Sequence, residues 1–217
     1  MKTSKTAGTS LEIALSQFCG ENDIISPIQR KDERIRVELG YPKAQNYLAP
    51  LSDYSVKDIF DLIRKRKRKV RFFSHISAKE ASRFISPEIW NSYFKFCFER
   101  SPWERVISAY YWKNQSPPRP TISDFLTAET IRDLMSKGKD IYTINNNIVV
   151  DRIFKYEELE KNLDSIRKTL MLPSEIRLPM AKAGHRKDHR DYTQILTPHE
   201  IRLIGDHFKD VIDLMDY

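Results

Sequence analysis

Lys5, Thr6, Ala7, Gly8, Thr9 and Ser10 form the run KTAGTS ahead of LEIALSQF, and these residue types suit the binding of an anion. A glycine permits a tight turn, the opening turn of a helix offers backbone N–H groups and a positive dipole end, and Lys5 adds a full cation. The segment reads as a phosphate cradle, although a plain capped helix would use the same residues. Its order is not that of the nucleotide-hydrolase loop G-x-x-x-x-G-K-[ST], because here the lysine precedes the glycine and threonine.

A second set of chemical groups lies in FERSPWERVISAYYW at 98–112, where Arg100 ends a predicted strand and Ser108 follows inside the next helix. A guanidinium can clamp a phosphate with two parallel hydrogen bonds. Read structurally, the same segment is a strand and helix with Trp103, Val106, Ile107 and Tyr110 in the core and Arg105 in solvent. His75 directly follows VRFFS, and a histidine at a strand end titrates close enough to neutrality to act as a general base. A structural histidine fits that position too. Asp32 and Glu33, within the irregular segment 27–54, are the runner-up bases.

Two basic stretches complete the inventory. AKAGHRKDHRDY at 181–192 gathers Lys182, His185, Arg186, Lys187, His189 and Arg190 in an expected loop that closes over a nucleotide or stays solvated. His185 and His189 would suggest a metal only on a helix, which Gly184 disfavours. RKRKRKVR at 64–71 suits the negative end of a helix dipole, and part of it is expected either to remain solvated or to line an acceptor site.

The elements that must position these groups alternate. A loop and helix open the chain, DIIS at 23–26 and VRFFS at 70–74 are expected strands, and Ser55 is the expected N-cap of VKDIFDLIRKRK, with Ile59, Leu62 and Ile63 sharing a face. YFKFCFE at 93–99 reads as a buried strand, and Pro102 opens a helix to about Lys113. A strand at 152–156 precedes EELEKNLDSIRKTL, and PHEIRLIGDHFKDVIDLM closes the chain as a helix. Strand-then-helix order implies a mostly parallel sheet covered by helices.

Composition sets outer bounds. The 217 residues suit one domain spanning 1–217, and 40% apolar with 31% charged residues suit a packed interior. Cys19 and Cys97 are too few for a disulfide framework and lack zinc-site spacing. An excess of seven positive charges favours an anionic ligand such as a nucleotide, sulfated glycan or nucleic acid. No apolar run approaches the roughly 20 residues of a membrane helix. The expected location is cytoplasmic, or the Golgi lumen if an N-terminal anchor has been removed.

Taken together, KTAGTSLE and the Arg100-to-Ser108 segment resemble the sulfotransferases that use 3'-phosphoadenosine 5'-phosphosulfate (PAPS), in particular the carbohydrate branch. HISAKEASRF, EIWNSYFKF, VVDRIFKYEELEKNL and the final DLMDY extend the resemblance along nearly the whole chain. It implies an α/β P-loop-type three-layer domain with a central, mostly parallel sheet flanked by helices. Lys5 would contact the phosphosulfate and its bridging oxygen, Gly8, Thr9 and Ser10 would donate to it, and Arg100 and Ser108 would hold the 3'-phosphate. Lys182 and Arg186 match a late basic loop of that family in position and character. Only Met1 to Ser4 precede the cradle, where the family has a full buried strand, so the expectation is either a short first strand or a missing native N-terminus.

The resemblance also carries the acceptor base over to His75. The implied reaction is in-line transfer of a sulfuryl group to a hydroxyl, on a carbohydrate or another acceptor, with adenosine 3',5'-bisphosphate as product. A sulfuryl group carries less negative charge than a phosphoryl group, so no metal cofactor is expected. A nucleotide-dependent phosphotransferase would use a similar cradle, but the lysine order argues against it. A basic nucleic-acid-binding module is the other alternative, and its basic residues are dispersed with no recognisable recognition motif.

Overall fold

The computed structural model describes residues 1–179, 188 and 190–217. Its first half runs through α1 (Gly8–Ser16), α2 (Arg30–Glu38), α3 (Val56–Lys65), α4 (Ala78–Ala81), α5 (Pro87–Ser92), β1 (Phe96–Glu99) and α6 (Pro102–Lys113). Then follow α7 (Ile122–Phe125), α8 (Ala128–Ser136), α9 (Lys139–Tyr142), β2 (Thr143–Ile144), β3 (Asn147–Ile148) and β4 (Arg152–Lys155). The chain closes with α10 (Leu159–Thr169), α11 (Tyr192–Ile195), α12 (Pro198–His207) and α13 (Lys209–Met215). Among the described residues, no helix is long and apolar enough to cross a membrane.

β1 and β4 pair in parallel, with Phe96 opposite Arg152 and Glu99 opposite Lys155. The aromatic residues that favour a strand here also pack across it, with the Phe98 and Phe154 ring centres 5.5 Å apart. β2 and β3 form a short hairpin through Asn145 and Asn146, whose φ of 51° and 64° asparagine tolerates better than most residues.

The fold is mixed α/β, but the sheets fall short of the expected central layer. DIIS and VRFFS do not become strands. Each contributes one isolated bridge, Ile25 to Gln45 and Val70 to Leu48. The pairing segment between 45 and 48 is broken by Asn46 at φ 55° and bracketed by Pro42 and Pro50, which cannot donate to a ladder. The short segment before the cradle is hydrogen-bonded without being a strand. Lys95 turns its carbonyl to β4, so those of Phe96 and Phe98 point to the opposite edge. There the Met1 amine donates to Phe96 at 2.6 Å and the Thr3 hydroxyl to Phe98, while the Ser4 N–H reaches the Lys137 carbonyl at 2.7 Å.

Two apolar clusters flank this arrangement. Leu11 and Ala14 of α1 pack with Phe98, Phe154 and Ile166 of α10. Val106 and Ile107 of α6 pack with Phe125, Leu134, Ile204 and Phe208. Phe208 is buried in the second cluster, and the expected single closing helix breaks there into α12 and α13.

Arg105 corrects the expectation of a solvated arginine. It is fully buried and ion-paired with the equally buried Glu99. Burial pushes its pKa down to about 10, so it is still a cation at neutral pH. Gly138 makes room for it, since a Cβ there would fall on Arg105 Nη1. The pair ties the end of β1 to α6. The next turn is fixed by Glu157, which accepts from the Ser101 N–H at 2.9 Å and from the Tyr217 hydroxyl at 2.9 Å.

Candidate functional site

A cavity of about 1010 Å³ opens between the start of α1, the end of β1 and the middle of α6. Lys5, Ala7, Gly8, Thr9 and Ser10 line one side, and Arg100, Ser108 and His75 line it as well. Residues far apart in sequence therefore share one wall, and its volume is on the scale of nucleotide and cofactor sites.

The cradle is positioned by its backbone. Lys5 and Ala7 lie at φ 64° and 53°, in the left-handed region that non-glycine residues rarely adopt. Ala7 is the N-cap of α1 and supplies no side-chain cap, and no acidic residue occupies the first turn. The positive dipole end of such a helix start favours an anion. Arg100 holds the turn from outside, its Nη1 donating to the Lys5 carbonyl at 3.2 Å. Conformations of this cost persist where surrounding contacts over-determine them.

Arg100 itself is set by the strand register. Glu99 lies opposite Lys155, so the next residues, Arg100 and Tyr156, emerge side by side. The guanidinium sits 4.6 Å from the Tyr156 ring centre and pairs with Glu104 at 3.1 Å, while its buried Nε has no hydrogen-bond partner among the described residues. Tyr156 was missing from the sequence reading, and only the parallel register reveals it. Trp112 was also missed. It stands four residues after Ser108 on α6, lines the cavity, and carries Lys5 Nζ 4.7 Å from its ring centre.

His75 has φ 65° and its Nδ1 lies 2.8 Å from the Lys2 carbonyl. That carbonyl can only accept, so Nδ1 carries the proton and Nε2 keeps a lone pair in the neutral ring. Burial lowers the His75 pKa below the ordinary 6.5, outweighing the opposite pull of the hydrogen bond to Lys2. Burial thus favours the neutral imidazole in the cavity wall.

Other expected site residues fall elsewhere. Thr6 is buried behind the cradle, its hydroxyl donating to the Thr3 carbonyl at 3.2 Å, and it does not line the cavity. Glu33 is engaged by Arg36 at 2.9 Å and by the Ala44 N–H at 3.0 Å, and Asp32 is buried beside it, so neither runner-up base reaches the cavity wall. The 64–71 run does not line it either. Lys182 and Arg186 lie outside the described residues. Among the described residues, no three His, Cys, Asp or Glu side chains converge as a metal-holding group.

No family model matches the chain. It is similar to an uncharacterized protein of Archaeoglobus fulgidus, with 28% identity over 95 residues that cover 42% of this chain and 79% of the archaeal protein. No solved structure matches it.

Proposed function

We propose that the chain is a sulfotransferase that uses PAPS to sulfate a hydroxyl of an acceptor, with a carbohydrate as the acceptor class. The observation that carries this reading is the convergence of the Lys5–Ser10 cradle, Arg100, Ser108 and His75 on one cavity. A finer proposal follows for the fold: α1, β1, α6 and β4 would be the donor-binding part of a P-loop-type domain.

The residues fit the donor. Lys5 and Arg100 are cations in the cavity wall, Ser108 adds a hydroxyl, and the buried Nε of Arg100, which has no acceptor among the described residues, is a further donor. In this reading the cradle holds the 5'-phosphosulfate, and Arg100 with Ser108 holds the 3'-phosphate. Bound PAPS supplies an activated sulfuryl group. His75 Nε2 takes the acceptor proton as the new O–S bond forms. The bond from sulfur to the bridging oxygen breaks with its electron pair on the 5'-phosphate, where Lys5 and the helix start meet the developing charge.

Transfer of radiolabelled sulfate from PAPS across a panel of glycans tests the proposal. Label on a glycan hydroxyl supports it, whereas no transfer to any acceptor together with phosphoryl transfer from ATP would replace it with a phosphotransferase.

A further inference from the structure

α3 faces outward. Val56, Ile59, Phe60 and Ile63 fall at i, i+3, i+4 and i+7, a single apolar stripe on a helix. In most globular proteins such a stripe is buried, yet Val56 is 86% and Ile63 76% exposed, and Ile59 and Phe60 are exposed too. The half-covered residues are instead Asp58, Asp61 and Leu62. The expectation that Ile59, Leu62 and Ile63 share one face fails for this reason: Leu62 projects away from the other two.

The helix is also well made. Ser55 and Asp58 form a reciprocal capping box, Asp61 pairs with Lys65 at 2.7 Å and Asp58 with Lys69 at 2.8 Å. Leu51, 70% exposed in the preceding turn, adds apolar surface. At the other end Arg64, Lys65, Arg66, Lys67 and Arg68 are all exposed, and the Arg64 guanidinium lies 5.6 Å from the Phe60 ring centre, at the border of stripe and cations.

We propose that α3 and its basic continuation dock on the surface of an anionic lipid bilayer, without spanning it. Val56, Phe60 and Ile63 would enter the boundary between headgroups and acyl chains, while the cations from Arg64 to Arg68 meet anionic headgroups. Charge selects this occupant. A second copy of the chain would bring the same excess of seven positive charges, so net charge opposes that contact, whereas an anionic bilayer answers the basic run. An uncharged apolar partner would leave the cations unanswered. None of these residues lines the cavity, so the docking surface stands apart from the sulfotransferase reading.

Co-sedimentation of the full chain with phosphatidylcholine vesicles, with and without phosphatidylserine, provides the test. The chain is expected to bind the phosphatidylserine vesicles, and about tenfold less to neutral ones. The Phe60→Ser/Ile63→Ser and Arg66→Gln/Lys67→Gln/Arg68→Gln variants should each lose about tenfold in binding to the anionic vesicles. Both alter exposed residues, so far-UV circular dichroism should be unchanged. Equal binding to both vesicle types, or a Phe60/Ile63 variant that binds like the parent, would overturn the proposal. So would a dimer, seen by sedimentation without lipid, that the Phe60/Ile63 variant abolishes.

Discussion

Arg100 Nη1 donates to the Lys5 carbonyl at 3.2 Å, so the guanidinium assigned to the 3'-phosphate also braces the cradle assigned to the phosphosulfate. Arg100→Ala should therefore weaken adenosine 3',5'-bisphosphate by about 1.5–3 kcal/mol, roughly 10- to 150-fold. It should weaken adenosine 5'-phosphosulfate as well, by a smaller factor, although that ligand has no 3'-phosphate. Calorimetric titration of both ligands checks this, and normal binding of the bisphosphate would remove Arg100 from the site.

His75 provides a pH signature. Its pKa lies below the ordinary 6.5 because burial disfavours the imidazolium. The neutral base thus persists as pH falls through 6.5, and the acid limb of the rate profile should have its midpoint below that value. Stability has the same sign. Below pH 6.5 the unfolded chain takes up the proton more readily than the folded one, so this group's contribution is complete above 6.5 and diminishes as pH falls toward the folded pKa. His75→Ala should cost about 10²–10⁴-fold in turnover with little effect on bisphosphate binding, and should abolish the limb. Turnover equal to the parent would eliminate His75 as the base.

Tyr156 and Trp112 hold the two cations by their ring faces. Replacing either with leucine should weaken bisphosphate binding by about 0.5–2 kcal/mol, roughly 2- to 30-fold, through looser placement of Arg100 or Lys5. Phenylalanine at 156 should restore most of the loss. Equal loss in the leucine and phenylalanine variants would point to the hydroxyl rather than the ring.

Gly138 and Arg105 make a stability prediction independent of activity. Gly138→Ala places a methyl group on the buried guanidinium and should cost about 1–3 kcal/mol. Arg105→Met strands the Glu99 carboxylate and should cost about 3–5 kcal/mol, much of it recovered in Glu99→Leu/Arg105→Met. Urea unfolding midpoints at constant slope measure both. A stable Arg105→Met single variant would contradict the buried pair.

Local signals carried much of the fold. The N-cap at Ser55, Pro102 at the start of α6 and the aromatic alternation ending at Glu99 each act over a few residues, and each matches the structure. Strands at 23–26 and 70–74 were misread because a strand exists only with a partner, and the partners here are the proline-bracketed residues 45 and 48. Arg105 was misread for a related reason: its polarity suggests solvent, while its burial depends on Glu99 and on the space left by Gly138. In the candidate site, Lys5, Arg100, Ser108 and His75 were singled out by residue type, and all four line one cavity. Tyr156 was not, because its contact with Arg100 arises from the parallel register of two strands distant in the chain.

The most direct measurement is a calorimetric titration of the chain with adenosine 3',5'-bisphosphate and, separately, with ATP and magnesium. Tight binding of the bisphosphate, lost in Arg100→Ala and in Lys5→Ala, is the predicted result. Tight binding of ATP with magnesium and none of the bisphosphate would contradict it.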